Sequence, residues 1–166
     1  MTIYVAEEWK DFFVAAAGAS AALAGLIIVA MSVNINQILK FRHLPPRAAA
    51  AIGTLILILV SSMAGLMHQS ATALGAELLL FGACAWVMQL KSHRQAFAVG
   101  KEFQRPAWES LLEAGVGQVQ TVPFVVAGAL LLTGNGSGVY WLAGGVIAIF
   151  IFSTMNAWVL LVEILR

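Results

Sequence analysis

The chain has 166 residues, of which 61% are hydrophobic and only 10% are charged. Because about a quarter of the residues in a soluble domain carry charge, this composition predicts a protein whose solvent is lipid. The formal net charge of +1 offers no concentrated basic surface, which argues against nucleic acid as a partner. A helix that crosses a bilayer needs about 20 apolar residues, so several crossings would use nearly the whole chain and leave no room for a soluble domain.

Five apolar stretches follow one another along the chain, each long enough to cross a hydrocarbon core. They cover residues 12–33, 48–67, 73–90, 110–133 and 139–165. The start of the chain is acidic, with Glu7, Glu8 and Asp11, so the first stretch is interpreted as a retained helix and not as a signal peptide. The sequence therefore predicts an all-α fold, in which residues 1–166 form a single transmembrane domain of five spans.

The connections between these stretches differ in charge. Residues 34–47 and 91–106 contain several basic residues, whereas the other two connections contain none. With five crossings, both basic loops and Arg166 fall on one side, and of nine Lys and Arg residues only Lys10 falls on the other. Because basic loops remain in the cytoplasm, this pattern predicts a multi-pass protein of the cell membrane with its N-terminus outside and its C-terminus cytoplasmic.

The connection at residues 91–106 allows two interpretations. Phe97 and Phe103 lie among its charged residues, as in a helix that rests in the membrane interface. The alternative is a solvated basic linker on the cytoplasmic side.

Cysteine labelling of intact cells tests the predicted topology. In a chain whose Cys84 is replaced by alanine, cysteines introduced at Gly136 and Ser92 should react from opposite faces of the membrane, because the first lies in an outer turn and the second in a basic loop. Reaction of both positions with an impermeant reagent added outside would contradict the five-span topology.

The first stretch carries small residues at helical spacing. Ala17, Ala21 and Gly25 recur every four residues, and Gly18 lies beside them. Small side chains allow two helix backbones to approach closely in lipid. We expect this face to pack against another helix of the same chain, since every multi-helix bundle needs such faces; a subunit interface is the alternative.

Two segments resemble a known group of proteins. One runs from Trp9 to Asn36, where the small-residue tract precedes Gly-Leu-Ile-Ile-Val-Ala-Met-Ser-Val-Asn-Ile-Asn, and the other is Leu-Gly-Ala-Glu-Leu-Leu at 74–79. Both resemble a family of short multi-pass bacterial membrane proteins that is common in actinobacteria. The resemblance extends over the chain and supports the architecture, but it implies no particular activity.

Three acidic residues fall inside the predicted spans: Glu77, Glu113 and Glu163. Intramembrane carboxylates are functional candidates because burying their charge is costly. All three lie toward span ends, where the cost is smaller, so structural pairing or an interfacial position is the alternative. Glu77 and His68 bracket one short turn and are predicted to lie at similar depth, where they could pair.

Polar residues also recur along single helix faces. The stripes are Thr54, Ser61 and His68 in the second span, Glu109, Glu113 and Gln120 in the fourth, and Ser153, Asn156 and Glu163 in the fifth. Because lipid cannot satisfy their hydrogen bonds, they should face a wet cavity or form a dry hydrogen-bonded seam between helices.

The glycine-rich turn at 134–138 predicts that the last two spans pack as an antiparallel hairpin. Counted from this turn, Gln120 and Asn156 lie at similar depth, as do Glu113 and Glu163. We expect Pro123 to kink or locally unwind the fourth span beside them.

The sequence contains no motif of a catalytic or metal site. It has no His-Glu-x-x-His, nucleophile elbow, P-loop or dinucleotide-binding motif. Its single cysteine, Cys84, excludes an intramolecular disulfide and is interpreted as a small core residue. We therefore predict a protein that is not an enzyme and uses no metal or cofactor.

Three functions remain compatible with these features. The leading hypothesis is a homo-oligomer, embedded among membrane lipids, that forms a polar pathway for ions or protons. Its candidate residues are His68, Glu77, Glu113, Gln120, Asn156 and Glu163. The second hypothesis is an accessory subunit of a larger membrane complex, and the third is a membrane-embedded protein that binds a lipid or a quinone.

Overall fold

A computed structural model of the chain describes residues 5–39, 44–102 and 107–162. Its helices are α1 (Val5–Val33), α2 (Ile35–Ile38), α3 (Leu44–Leu66), α4 (Ala71–Glu102), α5 (Ala107–Leu132) and α6 (Gly138–Val162). Each helix except the short α2 contains a segment that is long and apolar enough to cross a membrane. The predicted all-α bundle with five spans is therefore confirmed.

The five long helices form a ring of neighbours. Helix α1 packs on α3, α3 on α4, α4 on α5, and α5 on α6, while α6 returns to α1 and also touches α3. The last two helices thus pack against each other, as predicted, but the contact between α4 and α5 is more extensive. Helix α4 therefore packs more extensively on α5 than on α3.

One hydrophobic core runs through the bundle. Its largest fully buried side chains include Phe13, Ile27, Leu55, Ile58, Leu78, Phe124, Leu131, Leu142 and Ile149. Large apolar side chains also cover the outside of the helices, where lipid can solvate them. Cys84 is exposed on this outer surface, so its interpretation as a core residue is wrong.

The turn between α5 and α6 follows from its glycine and asparagine residues. The amide of Asn135 donates to the carbonyl of Leu130 at 3.0 Å, and that of Gly134 donates to Leu131 at 3.0 Å. This pair of bonds closes the end of a helix when the residue at the position of Gly134 has a positive φ. Gly134 has a φ of 77°, which glycine adopts at little cost.

Helix α4 is longer than the predicted third span. It runs from Ala71 to Glu102, so residues 91–102 are helical, and whether this part lies in the membrane interface or in water stays a prediction. This segment is rich in helix-forming residues and has no proline before Pro106, which explains why the helix continues. At 1.5 Å per residue the helix is about 48 Å long and extends beyond a hydrocarbon core of about 30 Å.

Glycines bring α4 and α5 into close contact. A Cβ atom added to Gly75 would lie 2.7 Å from the backbone nitrogen of Leu132, and one added to Gly128 would lie 2.7 Å from that of Leu79. Only residues without a side chain allow the two backbones to approach so closely. Helix α5 continues through Pro123 without interruption, so the expected unwinding does not occur.

Aromatic rings join the beginnings of α1 and α6. The rings of Trp9 and Tyr140 meet edge to face, with centroids 5.1 Å apart. The contact places the N-terminal ends of these two helices at the same end of the bundle. An even number of crossings must therefore separate them, which fits a topology of five spans.

Candidate ligand-binding site

Glu77 belongs to a polar clamp at the turn between α3 and α4. Its carboxylate accepts a hydrogen bond from Nε2 of Gln69 at 2.8 Å. The same nitrogen donates to the backbone carbonyl of Ala64 at 2.8 Å. Gln69 thus ties the end of α3 to the first turns of α4. His68 is exposed next to it, and its pairing with Glu77 stays a prediction.

Replacement of Glu77 by alanine should weaken the bundle. We expect the free energy of unfolding to fall by about 1 kcal/mol, because a charge-assisted hydrogen bond is lost at a half-exposed position where water screens part of it. Reversible unfolding in mixed detergent micelles measures the change. Glu8→Ala, which removes an exposed carboxylate of α1, is the control, and an equal loss in both variants would contradict the role of the clamp.

The polar stripes of α5 and α6 are described in part. Gln120 is 7% exposed and Ser153 is 1% exposed, so both side chains are buried in the bundle. Glu163 lies outside the described residues, as do the side chains of Glu113 and Asn156. The predicted meeting of these carboxylates and amides therefore stays a prediction.

Three of the buried hydroxyls described in the bundle bond within their own helices. Ser20, Thr54 and Thr121 each donate to a backbone carbonyl three or four positions earlier, at 2.9, 2.9 and 3.1 Å. Such local bonds satisfy a hydroxyl without any partner on another helix. Ser61 differs, because its buried Oγ has no hydrogen-bond partner among the described residues. In the described part of α3, the stripe does not form a hydrogen-bonded seam.

The face of α1 that packs in the bundle is not the small-residue face that the sequence predicted. Its buried residues are Phe13, Ala16, Ser20, Ile27 and Ala30. Gly18, Ala21 and Gly25 are exposed, and Ala17 is half-buried. No atom lies within 4 Å of a Cβ added to Gly18 or Gly25. Intramolecular packing is therefore wrong for these three residues, because burial of the larger Phe13 and Ile27 decides how the helix is rotated.

A cavity of about 400 Å³ lies between α3 and α4. Its wall on α3 consists of Ala49, Ala50, Gly53 and Thr54, and its wall on α4 consists of Ala85, Met88, Gln89, Lys91 and Ser92. The small residues of the α3 wall leave room for the cavity beside α4. A Cβ added to Gly53 would meet nothing within 4 Å, so this part of α3 borders open space.

One corner of the cavity is polar. Gln89 is only 8% exposed, and its buried Oε1 has no hydrogen-bond partner among the described residues. Lys91 and Ser92 follow it along the same helix and also line the cavity. A buried amide oxygen without a partner is costly. Because this oxygen has almost no accessible surface and the amide lies against Gly117 of α5, the groups that the corner offers to a ligand are the hydroxyl of Ser92 and the positive charge of Lys91.

The polar corner is backed by α5. A Cβ on Gly117 would lie 2.6 Å from Nε2 of Gln89 and would overlap the imidazole of His93. Glycine at this position lets both side chains pack against α5. Nearby, Nε1 of Trp86 donates to Oε1 of Gln118 at 2.7 Å. These contacts hold α4 against α5 and leave its other face to the cavity.

The cavity was not predicted from the sequence. Neither the charge of single residues nor the spacing of polar ones selects a neutral glutamine at the end of an apolar run. The available signal was the Ala-Ala-Ala-Ala-Ile-Gly tract at 48–53 together with Ala85. That tract predicts close helix packing as readily as a cavity, and only the angle between two helices distinguishes the outcomes.

The cavity suits an amphipathic molecule. Its volume lies within the range of about 300 to 1,000 Å³ that is typical of small-molecule sites. The walls contributed by alanine, glycine and methionine are apolar, and apart from Thr54 of α3 the polar lining residues all lie between positions 89 and 92 of α4. Such a division matches a ligand that has a hydrocarbon part and one polar end.

Comparison of the chain with models of protein families, with curated proteins and with solved structures finds no match.

Proposed function

We propose that the protein binds one amphipathic molecule of the lipid or quinone class in the cavity between α3 and α4. The observation that carries the proposal is a cavity of about 400 Å³ with largely apolar walls, which Lys91 and Ser92 line close to the end of the spanning part of α4. A site that combines apolar walls with a few convergent polar groups is typical of ligand recognition.

The position of the cavity in the bundle supports this class of ligand. All its lining residues belong to the membrane-spanning parts of α3 and α4. A ligand that is dissolved in the membrane, such as a lipid or a quinone, can therefore reach them. Lys91 lies close to Arg94, where the spanning part of α4 ends, so the polar end of the ligand would lie near the membrane interface.

Native mass spectrometry of the protein, extracted with a mild detergent, tests the proposal. We expect a bound molecule of discrete mass that organic solvent releases. The Gly53→Leu variant should lose it, because the leucine side chain would enter the open space beside α3.

A matched variant controls for the added bulk. Gly144→Leu adds the same side chain to α6 at a position where a Cβ meets nothing within 4 Å, and it should keep the ligand. Retention of the ligand by a folded Gly53→Leu variant would overturn the proposal, as would the absence of any saturable lipid or quinone binding by the native chain.

A second candidate is the homo-oligomer with a polar pathway for ions or protons. It is favoured by the exposed small residues of α1, since Gly18 and Gly25 have nothing within 4 Å of an added Cβ and could pack against a second copy. The pathway itself would depend on Glu113, Asn156 and Glu163.

The mass of the extracted particle tests this second candidate. A multiple of the chain mass that Gly18→Leu reduces to one chain would support assembly through α1. A single chain in the native protein would reject the oligomer, and a stoichiometric foreign protein would favour an accessory subunit in its place.

A further inference from the structure

We propose that the ligand of the cavity between α3 and α4 is a fatty acid, which lies with its carboxylate at Lys91 and Ser92 and with its hydrocarbon chain toward Gly53 and Ala85. This inference rests on the proposed function and specifies the chemical class of the ligand. It is carried by the charge of the cavity wall, by the order of the lining residues along the two helices, and by the volume of the cavity.

The charge of the cavity wall is positive. Lys91 is exposed on α4 and lines the cavity, and Ser92 is the next residue of the lining. None of the described lining residues is acidic. A carboxylate has two acceptor oxygens, so it can accept from the ammonium of Lys91 and from the hydroxyl of Ser92 together. Hydrogen bonds to an ionised acceptor are about twice as strong as those to a neutral one, which favours an acid over a quinone.

The charged residue lies at one end of the cavity. Helices α3 and α4 are consecutive and joined by a short turn, so they run antiparallel and the beginning of α3 lies at the same end of the bundle as the later part of α4. At this end, Ala49 follows the first residue of the spanning part of α3, and Lys91 lies close to the last residue of the spanning part of α4. A carboxylate beside Lys91 would therefore lie near the membrane interface, where its charge costs least.

The other end of the cavity lies deeper in the membrane and offers no donor. It is lined by Gly53 and Thr54 of α3 and by Ala85 of α4. The hydroxyl of Thr54 donates to the backbone carbonyl of Ala51 at 2.9 Å, so its single hydrogen is already used. A hydrocarbon chain can therefore occupy this end without leaving a donor unsatisfied.

The volume of the cavity favours a ligand with one chain. A space of about 400 Å³ accommodates a small molecule, such as a single hydrocarbon chain with a small head. The two chains and the glycerol of a phospholipid need more room. The volume and the charge together favour a fatty acid over an anionic phospholipid.

Two ligands that differ only at the head test the inference. Palmitate and hexadecanol have chains of the same length, but only palmitate is charged. Binding of each radiolabelled ligand to the lipid-free protein in detergent is measured at a pH of about 9, where the carboxyl group is ionised. We expect palmitate to bind about fivefold more tightly, since it alone is attracted to the ammonium of Lys91. An equal concentration of phosphatidylglycerol should not displace it.

Two variants of equal charge test the position of the carboxylate. Lys91→Gln should weaken the binding of palmitate about fivefold and leave that of hexadecanol unchanged. A general loss of structure would weaken the binding of both ligands, so this difference separates the charge of Lys91 from folding. Arg94→Gln removes the same charge from an exposed residue of α4 that is not among the lining residues, and it should leave the binding of both ligands unchanged.

The results separate this inference from the proposed function. Equal binding of palmitate and hexadecanol, equal effects of Lys91→Gln and Arg94→Gln, or displacement of palmitate by phosphatidylglycerol or a quinone at equal concentration would overturn the fatty-acid inference. In those cases loss of the bound molecule in Gly53→Leu would still support a ligand in the cavity. If folded Gly53→Leu binds palmitate as the native chain does, both proposals fail.

Discussion

We expect the Gly128→Ala variant to unfold more readily than the native chain. An added Cβ would lie 2.7 Å from the backbone nitrogen of Leu79 and 2.8 Å from the carbonyl oxygen of Gly75. Both are backbone atoms of α4, so they cannot turn aside as a flexible side chain would. The two helices must separate, and overpacking of this kind costs about 2 kcal/mol.

A second glycine of the same helix provides the control. A Cβ added to Gly115 would meet no atom within 4 Å, so Gly115→Ala introduces no clash. Both variants gain the same helix propensity, about 1 kcal/mol, which cancels when they are compared. Unfolding in mixed micelles measures the difference. Equal stability of the two variants would show that the α4–α5 contact at Gly128 tolerates an added methyl group, which would contradict the prediction.

The largest loss of stability should follow the replacement of Phe124 by alanine. Phe124 is 0% exposed. Its side chain reaches both neighbours of α5: its Cβ would be 3.2 Å from a Cβ on Gly82 of α4, and its ring would be 2.8 Å from one on Gly145 of α6. Alanine at this position leaves a space that the two glycines cannot fill.

The expected cost of Phe124→Ala is about 3 kcal/mol, at the lower end of the range for phenylalanine in soluble proteins. Lipid solvates an apolar side chain nearly as well as a protein core does, so most of the free-energy cost comes from the loss of packing contacts. Leu112→Ala, at an exposed position of the same helix, should change stability little. A smaller loss of unfolding free energy in Phe124→Ala than in Gly128→Ala would contradict the prediction that Phe124 contributes most to stability.

These two predictions concern one side of α4, and the ligand proposal concerns the other. Glycines at 75, 82 and 128 and the packing of Phe124 hold α4 firmly against α5. Toward α3, alanines at 49, 50 and 85 leave a cavity. Variants of Gly128 should therefore reduce stability, whereas variants of Lys91 should reduce ligand binding and leave stability nearly unchanged.

Hydrophobic length and composition determined much of this fold. Segments of about 20 apolar residues can satisfy their backbone only as helices in lipid, so five spans followed from the sequence. The glycine-rich sequence also predicted the turn at 134–138. Its Gly134 adopts the positive φ that the end of α5 requires. These features depend on residues that are neighbours in the chain.

The tertiary structure alone decided which helix faces meet. In lipid an apolar helix is hydrophobic on every side, so its sequence does not mark the buried face as it does in water. The small residues Gly18, Ala21 and Gly25 accordingly lie outward, while Phe13 and Ile27 are buried. The cavity beside Gln89 has the same origin. It depends on which residues of α3 and α4 face each other and on the packing of α5 against α4, which are relations between residues far apart in the chain.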